Sequence, residues 1–518
     1  MNNTTFLADH GFVGDPFEST NAETEDRLPY YFVPPPYFAT VFGDPASPSS
    51  HVVLAPRGGG KTAQRRMIEA RSQETGDFLC LRYDAFDQPA GFDAGVASLA
   101  YHLNQLCRMI LLGVLLRLDE RPEIASRLDH HQRQLLKLQM SLFLGDLSVV
   151  QYQNAVRALQ NFGDHVTVFL RKYAKPLKTV IGLITARIGL EGVDLPDELQ
   201  SEYRQDESLR YHFDSLISMA QSVGFLSTYI LVDKVDELAS TAQNANAAFK
   251  FIQPLVIDLT ILETQGVGFK FFLWDQLAHL YRENGARPDR VPISQLGWQP
   301  AELSDMLKAR LLSFSDKRIS SLNDMLNDHS PLDAHSLVTY FAAGSPRDMI
   351  RACKRIIAEH TKSSTVSDKI KEDTIWNGIA AFCDDRTQEL FGQYFADVKK
   401  AKSPTFTTNH IANDVFRITT QAARSKIQKW QDTGIVERIG EVPNPGNRPL
   451  YLFGVTDLRV AITMYSGSQA EMFCGNYALE CPESGDLCIS DRDRVDCGNC
   501  NHQFSLANAR SLLEICQQ

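Results

Sequence analysis

The stretch Val52-Val-Leu-Ala55-Pro56-Arg57-Gly58-Gly59-Gly60-Lys61-Thr62, running straight into Ala63-Gln-Arg-Arg-Met-Ile-Glu-Ala70, decides the fold. Its apolar start predicts a short buried strand, its glycines a loop, and the residues after Lys61 a helix. Strand, glycine-rich loop and helix in that order are the setting of a phosphate-binding loop. Glycine lets the backbone curl until its N–H groups face inward on an anion. The helix start adds the positive end of its dipole. Lys61 is placed to reach the β- and γ-phosphates of a nucleotide, and the Thr62 hydroxyl to bind Mg²⁺. The expected cofactor-binding residues are therefore Ala55, Pro56, Arg57, Gly58, Gly59, Gly60, Lys61 and Thr62, with ATP as the ligand. Ala55 stands where the motif usually has its first glycine. The competing reading is an ordinary glycine-rich turn before a helix.

Hydrolysis needs a metal-binding acid and a group that orients water. Tyr229-Ile-Leu-Val-Asp233 is an apolar strand with a carboxylate at its C-terminal tip, where α/β sheets bind ligands. Asp233 is the expected Mg²⁺ partner of Thr62, although it would also serve as a plain helix cap. Glu commonly follows such an aspartate, but here Lys234 does, and acids return at Asp236 and Glu237. Either could hold water. Further strands are expected at 78–84, at 268–274 ending on Asp275, and at 291–294. Strands alternating with helices predict an α/β fold built on a parallel sheet. Leucines at helical spacing over about 92–220 mark a large helical insertion. Tyr30-Tyr-Phe-Val-Pro-Pro-Pro-Tyr-Phe38 predicts an extended aromatic segment that covers an adenine ring or packs on the sheet.

Gly344-Ser-Pro346-Arg347-Asp348 begins a helix, with proline suited to its first turn. The P-loop, the Asp233 and Asp275 strand ends, a helical lid and this Gly-x-Pro-Arg motif, in that order over about residues 28–460, resemble the AAA+ class. They look most like its origin-recognition/STAND branch of ATPases. That resemblance implies sensor roles for Asp275 and Arg347, an arginine finger at Arg287 or Arg290 reaching a second copy in a homo-oligomer, and a winged helix after the lid. With Lys61, Asp233, Asp236, Glu237 and Arg347 as catalytic residues, it implies an ATP-driven switch. Bacterial ATPases of this general build are common in anti-phage defence and mobile-element systems, which implies a partner effector protein for this chain. The alternatives are a DNA-binding initiator whose conformation ATP controls, and a scaffold with a degenerate ATPase site. The implied division is an ATPase core over 1–300, a lid over 301–384, a winged helix over 385–465 and a cysteine-rich module over 470–518.

The winged helix reads as a short helix from Thr407, a second from Thr420 to Asp432, and two strands around a wing at 443–448. Residues 396–450 hold nine Lys/Arg against five Asp/Glu in a chain of net charge −11. Arg424, Lys426, Lys429 and Arg448 are the candidate DNA contacts, and packing against protein is the alternative. In the tail, Cys481-x6-Cys488-x8-Cys497-x2-Cys500 fits four thiolates on one Zn²⁺, with Cys474 or His502 as substitutes. Free thiols are the alternative. The remaining cysteines, Cys80, Cys107, Cys353 and Cys383, are spaced like core residues. No apolar run reaches about 18 residues, Arg108–Arg117 being the best candidate, so no membrane partner is expected. The N-terminus lacks a signal peptide's pattern, and the expected location is the cytoplasm.

Overall fold

Apolar residues on both faces make strands that are covered on both sides. His51–Ala55 (β1), Thr228–Val232 (β3) and Val267–Trp274 (β4) are of this kind and almost wholly buried. With β2 (Leu79–Tyr83) and β5 (Ile293–Gln295) they form a five-stranded sheet in the order β2-β3-β4-β1-β5, every neighbouring pair parallel. The expected α/β class is the one found. The computed structural model describes residues 2–87, 97–144, 149–160, 162, 186, 207–242, 244–327, 330–364, 366–444, 448–464 and 468–517. Because β4 lies between β1 and β3, three strand ends meet along one edge of the sheet. The P-loop follows the first, Asp233 the second, and Asp275 the third.

The P-loop continues into α1 (Lys61–Thr75). The insertion begins with α2 (Leu99–Glu120), a helix apolar on nearly every side. It extends well beyond Arg108–Arg117, because Leu99, Leu103 and Leu106 continue the apolar pattern N-terminally. By length and composition it could cross a membrane, yet 72% of its apolar window is buried within the protein. Gly113 allows the close approach to β2, since a Cβ there would stand 2.7 Å from Leu79 Cδ1. Helices α3 (His130–Leu144), α4 (Val149–Arg157) and α5 (Glu207–Ser222) add Leu136, Tyr152 and Phe213 to the same core. The residues after α4 close the free edge of β2: Arg82 N–H donates to Ala158 O at 2.8 Å and Gln160 N–H to Cys80 O at 3.1 Å. Most of the expected insertion from 163 to 206 lies outside the described residues. The next helix is α6 (Ala245–Val256).

The chain divides into two compact units, 34–297 and 1–33 with 298–518. The sequence reading assigns residues 1–33 to the ATPase core, and the structure corrects this. The cause is Arg310, on α7 (Pro300–Phe314) and 3% exposed. Its guanidinium donates to Ser19 O at 3.1 Å and Glu25 Oε2 at 2.7 Å, and also to Pro16 O and Tyr31 Oη. The expected extended aromatic segment is corrected too. Short helices at Leu28–Tyr31 and Phe38–Phe42 flank its prolines. Tyr37, Phe38 and Phe42 pack against the sheet, the strap alternative.

The second unit continues with α8 (Ala334–Phe341), α9 (Pro346–Ser363) and α10 (Glu372–Phe391). Then come β6 (Thr405–Thr407), α11 (Thr420–Asp432), β7 (Val436–Val442) and β8 (Leu450–Val455), with an antiparallel sheet in the order β6-β8-β7. The helix expected from Thr407 starts there, with Thr407 Oγ1 accepting His410 N–H at 3.3 Å, and its His410–Val415 part is a π-helical turn. Wing residues 445–447 lie outside the described residues, while Arg448 is described. After α12 (Leu458–Thr463) and α13 (Ser468–Asn476), the tail forms two hairpins, β9–β10 (Ala478–Glu480, Leu487–Ile489) and β11–β12 (Arg494–Asp496, Gln503–Ser505).

Two buried histidines give the first unit a pH response. His102 Nδ1 lies 2.8 Å from Tyr83 Oη, and its Nε2 lies 2.9 Å from Phe251 O. Burial lowers its pKa to about 4. Burial, and then the charge of Lys270, lowers His51 to about 4 as well. Below pH 6.5 the unfolded chain takes up protons that the folded chain refuses. The contribution of these two histidines is therefore constant above pH 6.5 and is lost between 6.5 and about 4, by up to about 3 kcal/mol for each. His102→Gln should make that fall shallower by the His102 share, leaving the shares of His51 and of His212, whose pKa burial also lowers, read from urea midpoints at pH 7 and pH 4.5.

Candidate nucleotide-binding site

The loop curls where only glycine is at ease. Gly58 and Gly60 have φ of +82° and +100°. A Cβ on Gly59 would stand 3.0 Å from Pro56 O. Helix α1 starts at Lys61 without a side-chain cap on its first N–H groups, which suits an anion at that end. Lys61 Nζ donates to Ala55 O at 2.9 Å and Pro56 O at 3.2 Å. An anionic phosphate oxygen is the stronger acceptor and would draw the ammonium from these neutral carbonyls. Burial lowers the Lys61 pKa, and Asp236, Asp233 and Asp275 oppose that shift.

The strand order brings these acids to the loop. Thr62 Oγ1 lies 3.1 Å from Asp233 Oδ2. Two adjacent oxygens on octahedral Mg²⁺, each about 2.1 Å from the metal, stand about 3 Å apart. The pair therefore has the spacing of two Mg²⁺ ligands. Asp233 Oδ1 accepts Lys234 N–H at 2.9 Å. Lys234 itself has φ +60° and pairs with Asp84 at 3.0 Å. A lysine thus stands where a water-orienting acid commonly does.

Asp236 is buried, and its Oδ2 accepts Arg57 Nε at 2.9 Å. Arg57 in turn lies 4.5 Å over the Trp274 ring. Glu237, the other candidate, is exposed on the turn. Of the two, Asp236 is the one whose charge acts on Lys61. Burial raises the Asp275 pKa, and Lys61 pulls it back. The strand-end position expected of a sensor is therefore close to the loop. Arg347 is exposed in the first turn of α9, where Gly344 has φ +72° and Ser345 caps the helix. It belongs to the second unit. Arg287 pairs with Asp289 at 2.8 Å and Arg290 with Glu263 at 2.5 Å, both at the surface.

Sequence reasoning missed Arg65. It is fully buried on α1, its Nε 2.9 Å from Asp233 Oδ2, the same oxygen that Thr62 contacts. Its guanidinium also pairs with Glu69 one turn on. An arginine one turn after the P-loop lysine, on a helix packed against the acid strand, was the available signal.

The tail brings three of its expected metal ligands together. The thiols of Cys481, Cys497 and Cys500 all lie within 4.8 Å of one another. Cys488 is in the same small core but outside this group, its thiol beside that of Cys497 and its Sγ 4.0 Å from Asp486 O. Of the substitutes, His502 is turned to Glu483 at 2.9 Å and Cys474 is buried in α13. The Cys497 pKa falls to about 6. Burial opposes the thiolate there, and the N–H groups of Cys500 and Asn499 with the Ser484 hydroxyl outweigh it.

Helix α11 buries Ala423, Ile427 and Trp430 and exposes Arg424 and Lys429. Lys426 is engaged within the unit, paired with Asp397 and 4.6 Å from the Phe416 ring.

Neither the family models nor the curated proteins include a match to this chain. Among solved structures, the chain is similar to the Aeropyrum pernix ORC1 protein in complex with DNA. That likeness has a TM-score of 0.36 and 13% identity over 86% of this chain and 96% of that one. Cdc6p from Pyrobaculum aerophilum scores 0.33 at 9% identity, over 89% and 98%. The Aeropyrum pernix ORC2 protein in its ADP form scores 0.32 at 12% identity, over 87% and 96%. Nothing about activity passes to this chain from likenesses this distant.

The buried Arg65–Asp233 pair gives a stability test. Arg65→Ala strips both Asp233 and Glu69 of their buried cation and should cost about 3–5 kcal/mol, measured by urea denaturation. A loss below 1 kcal/mol would mean that water reaches these carboxylates.

Proposed function

We propose that the chain is an ATPase of the AAA+/STAND kind, a Mg²⁺-ATP-dependent switch that works in the cytoplasm with DNA or a protein partner. The Thr62–Asp233 oxygen pair, 3.1 Å apart beside Lys61, carries this reading. In it Lys61 holds the phosphates, Thr62 and Asp233 hold Mg²⁺, and Asp236 orients water. With Lys234 beside Asp233, turnover is slow and the bound state persists. Arg287 or Arg290 serves a neighbouring copy in a homo-oligomer. The tail thiolates hold zinc.

Lys61→Ala should abolish ATP binding in calorimetry with the circular dichroism spectrum unchanged. Asp236→Asn should keep binding and lower turnover by about 10²-fold or more. Unchanged ATP affinity in Lys61→Ala sinks the reading.

Exposed Arg424 and Lys429 support phosphate contact by α11. Reversing both charges should lower the slope of log affinity against log salt by about two units and leave ATP affinity intact. The internal engagement of Lys426 favours the second reading, in which this face meets a protein. No salt-sensitive DNA binding by the wild-type chain, with or without ATP, would decide for it.

A further inference from the structure

The two tail hairpins repeat one turn. In the second hairpin, Cys497 N–H donates to His502 O and Asn501 N–H to Cys497 O, both at 2.9 Å. In the first, Cys481 N–H donates to Asp486 O at 2.8 Å and Gly485 N–H to Cys481 O at 2.9 Å. The fifth residue of each turn is left-handed, Asn501 at φ +59° and Gly485 at φ +74°. Cys481 therefore matches Cys497 by position, and Ser484 matches Cys500.

The side chains follow the same correspondence. Cys481 Sγ lies 3.6 Å from Cys500 Sγ. Sulfurs about 2.3 Å from a tetrahedral zinc stand about 3.8 Å apart. Ser484 Oγ lies 3.5 Å from Cys497 Sγ. Three thiols and one hydroxyl thus converge from two equivalent turns. Cys488 occupies no turn position. It sits within strand β10.

We propose that the tail binds one zinc ion through Cys481, Cys497 and Cys500, with Ser484 at the fourth vertex and Cys488 serving only as a core thiol. This rests on the zinc reading of the tail and fixes its ligand set. A neutral hydroxyl is a far weaker donor than a thiolate. The Ser484 vertex is therefore the labile one, and the centre binds metal less tightly than four thiolates would.

The test uses the full chain, with metal content by mass spectrometry and thiolate-to-cobalt charge-transfer absorption after Co²⁺ loading. Wild type should carry about one zinc, and Cys497→Ser should lose it. Cys488→Ala should keep both the zinc and the cobalt spectrum. Ser484→Cys should raise the charge-transfer intensity by about a third, one thiolate being added to three. If Cys488→Ala fails to fold, the Ser484→Cys spectrum decides alone. Loss of metal from folded Cys488→Ala, or an unchanged cobalt spectrum in Ser484→Cys, overturns the ligand assignment while zinc in the tail stands. A wild-type chain without zinc overturns both.

Discussion

The contact of Thr62 and Arg65 with Asp233 is the constraint around which the first unit is organised. It ties the start of α1 to the end of β3, two strands away across the sheet. One carboxylate oxygen thereby receives a hydroxyl and a guanidinium. A cation on that oxygen weakens its pull on a metal ion, yet without the cation the carboxylate would be buried and uncompensated. The pairing compensates and orients the buried Asp233 carboxylate. The same order of strands delivers Asp236 and Asp275 to Lys61.

These acids explain how the loop tolerates a buried lysine. Desolvation pushes Lys61 toward the neutral form, and three carboxylates at neighbouring strand ends work against that push. Phosphate binding needs the charged form. The acids at these strand ends therefore serve the lysine directly. The Trp274 ring and Asp236 do a comparable service for Arg57, which would otherwise swing freely from the loop.

Much of this was legible in the sequence. The largely apolar runs before the P-loop, Asp233 and Asp275 pointed to covered strands, and the glycines to a curled loop. What stayed hidden depends on contacts distant in sequence. The capture of the first 33 residues by Arg310 leaves no local pattern, because its partners lie nearly 300 positions away. Arg65 read as one polar residue on a helix until β3 was placed beside it. The spacing of the tail cysteines invited a four-thiol centre. The repeated turn that pairs Ser484 with Cys500 shows only in backbone hydrogen bonds.

The discontinuity of the second unit bears on how the protein is made. Residues 1–33 leave the ribosome well before the helix carrying Arg310, which follows only after the whole intervening unit has been translated. At 5–20 residues per second that interval is roughly 15–60 s. Phe6, Phe12 and Phe17, buried in the finished protein, spend it without their partners. The nascent N-terminus is thus a window for chaperones, or for premature association between neighbouring chains on one message.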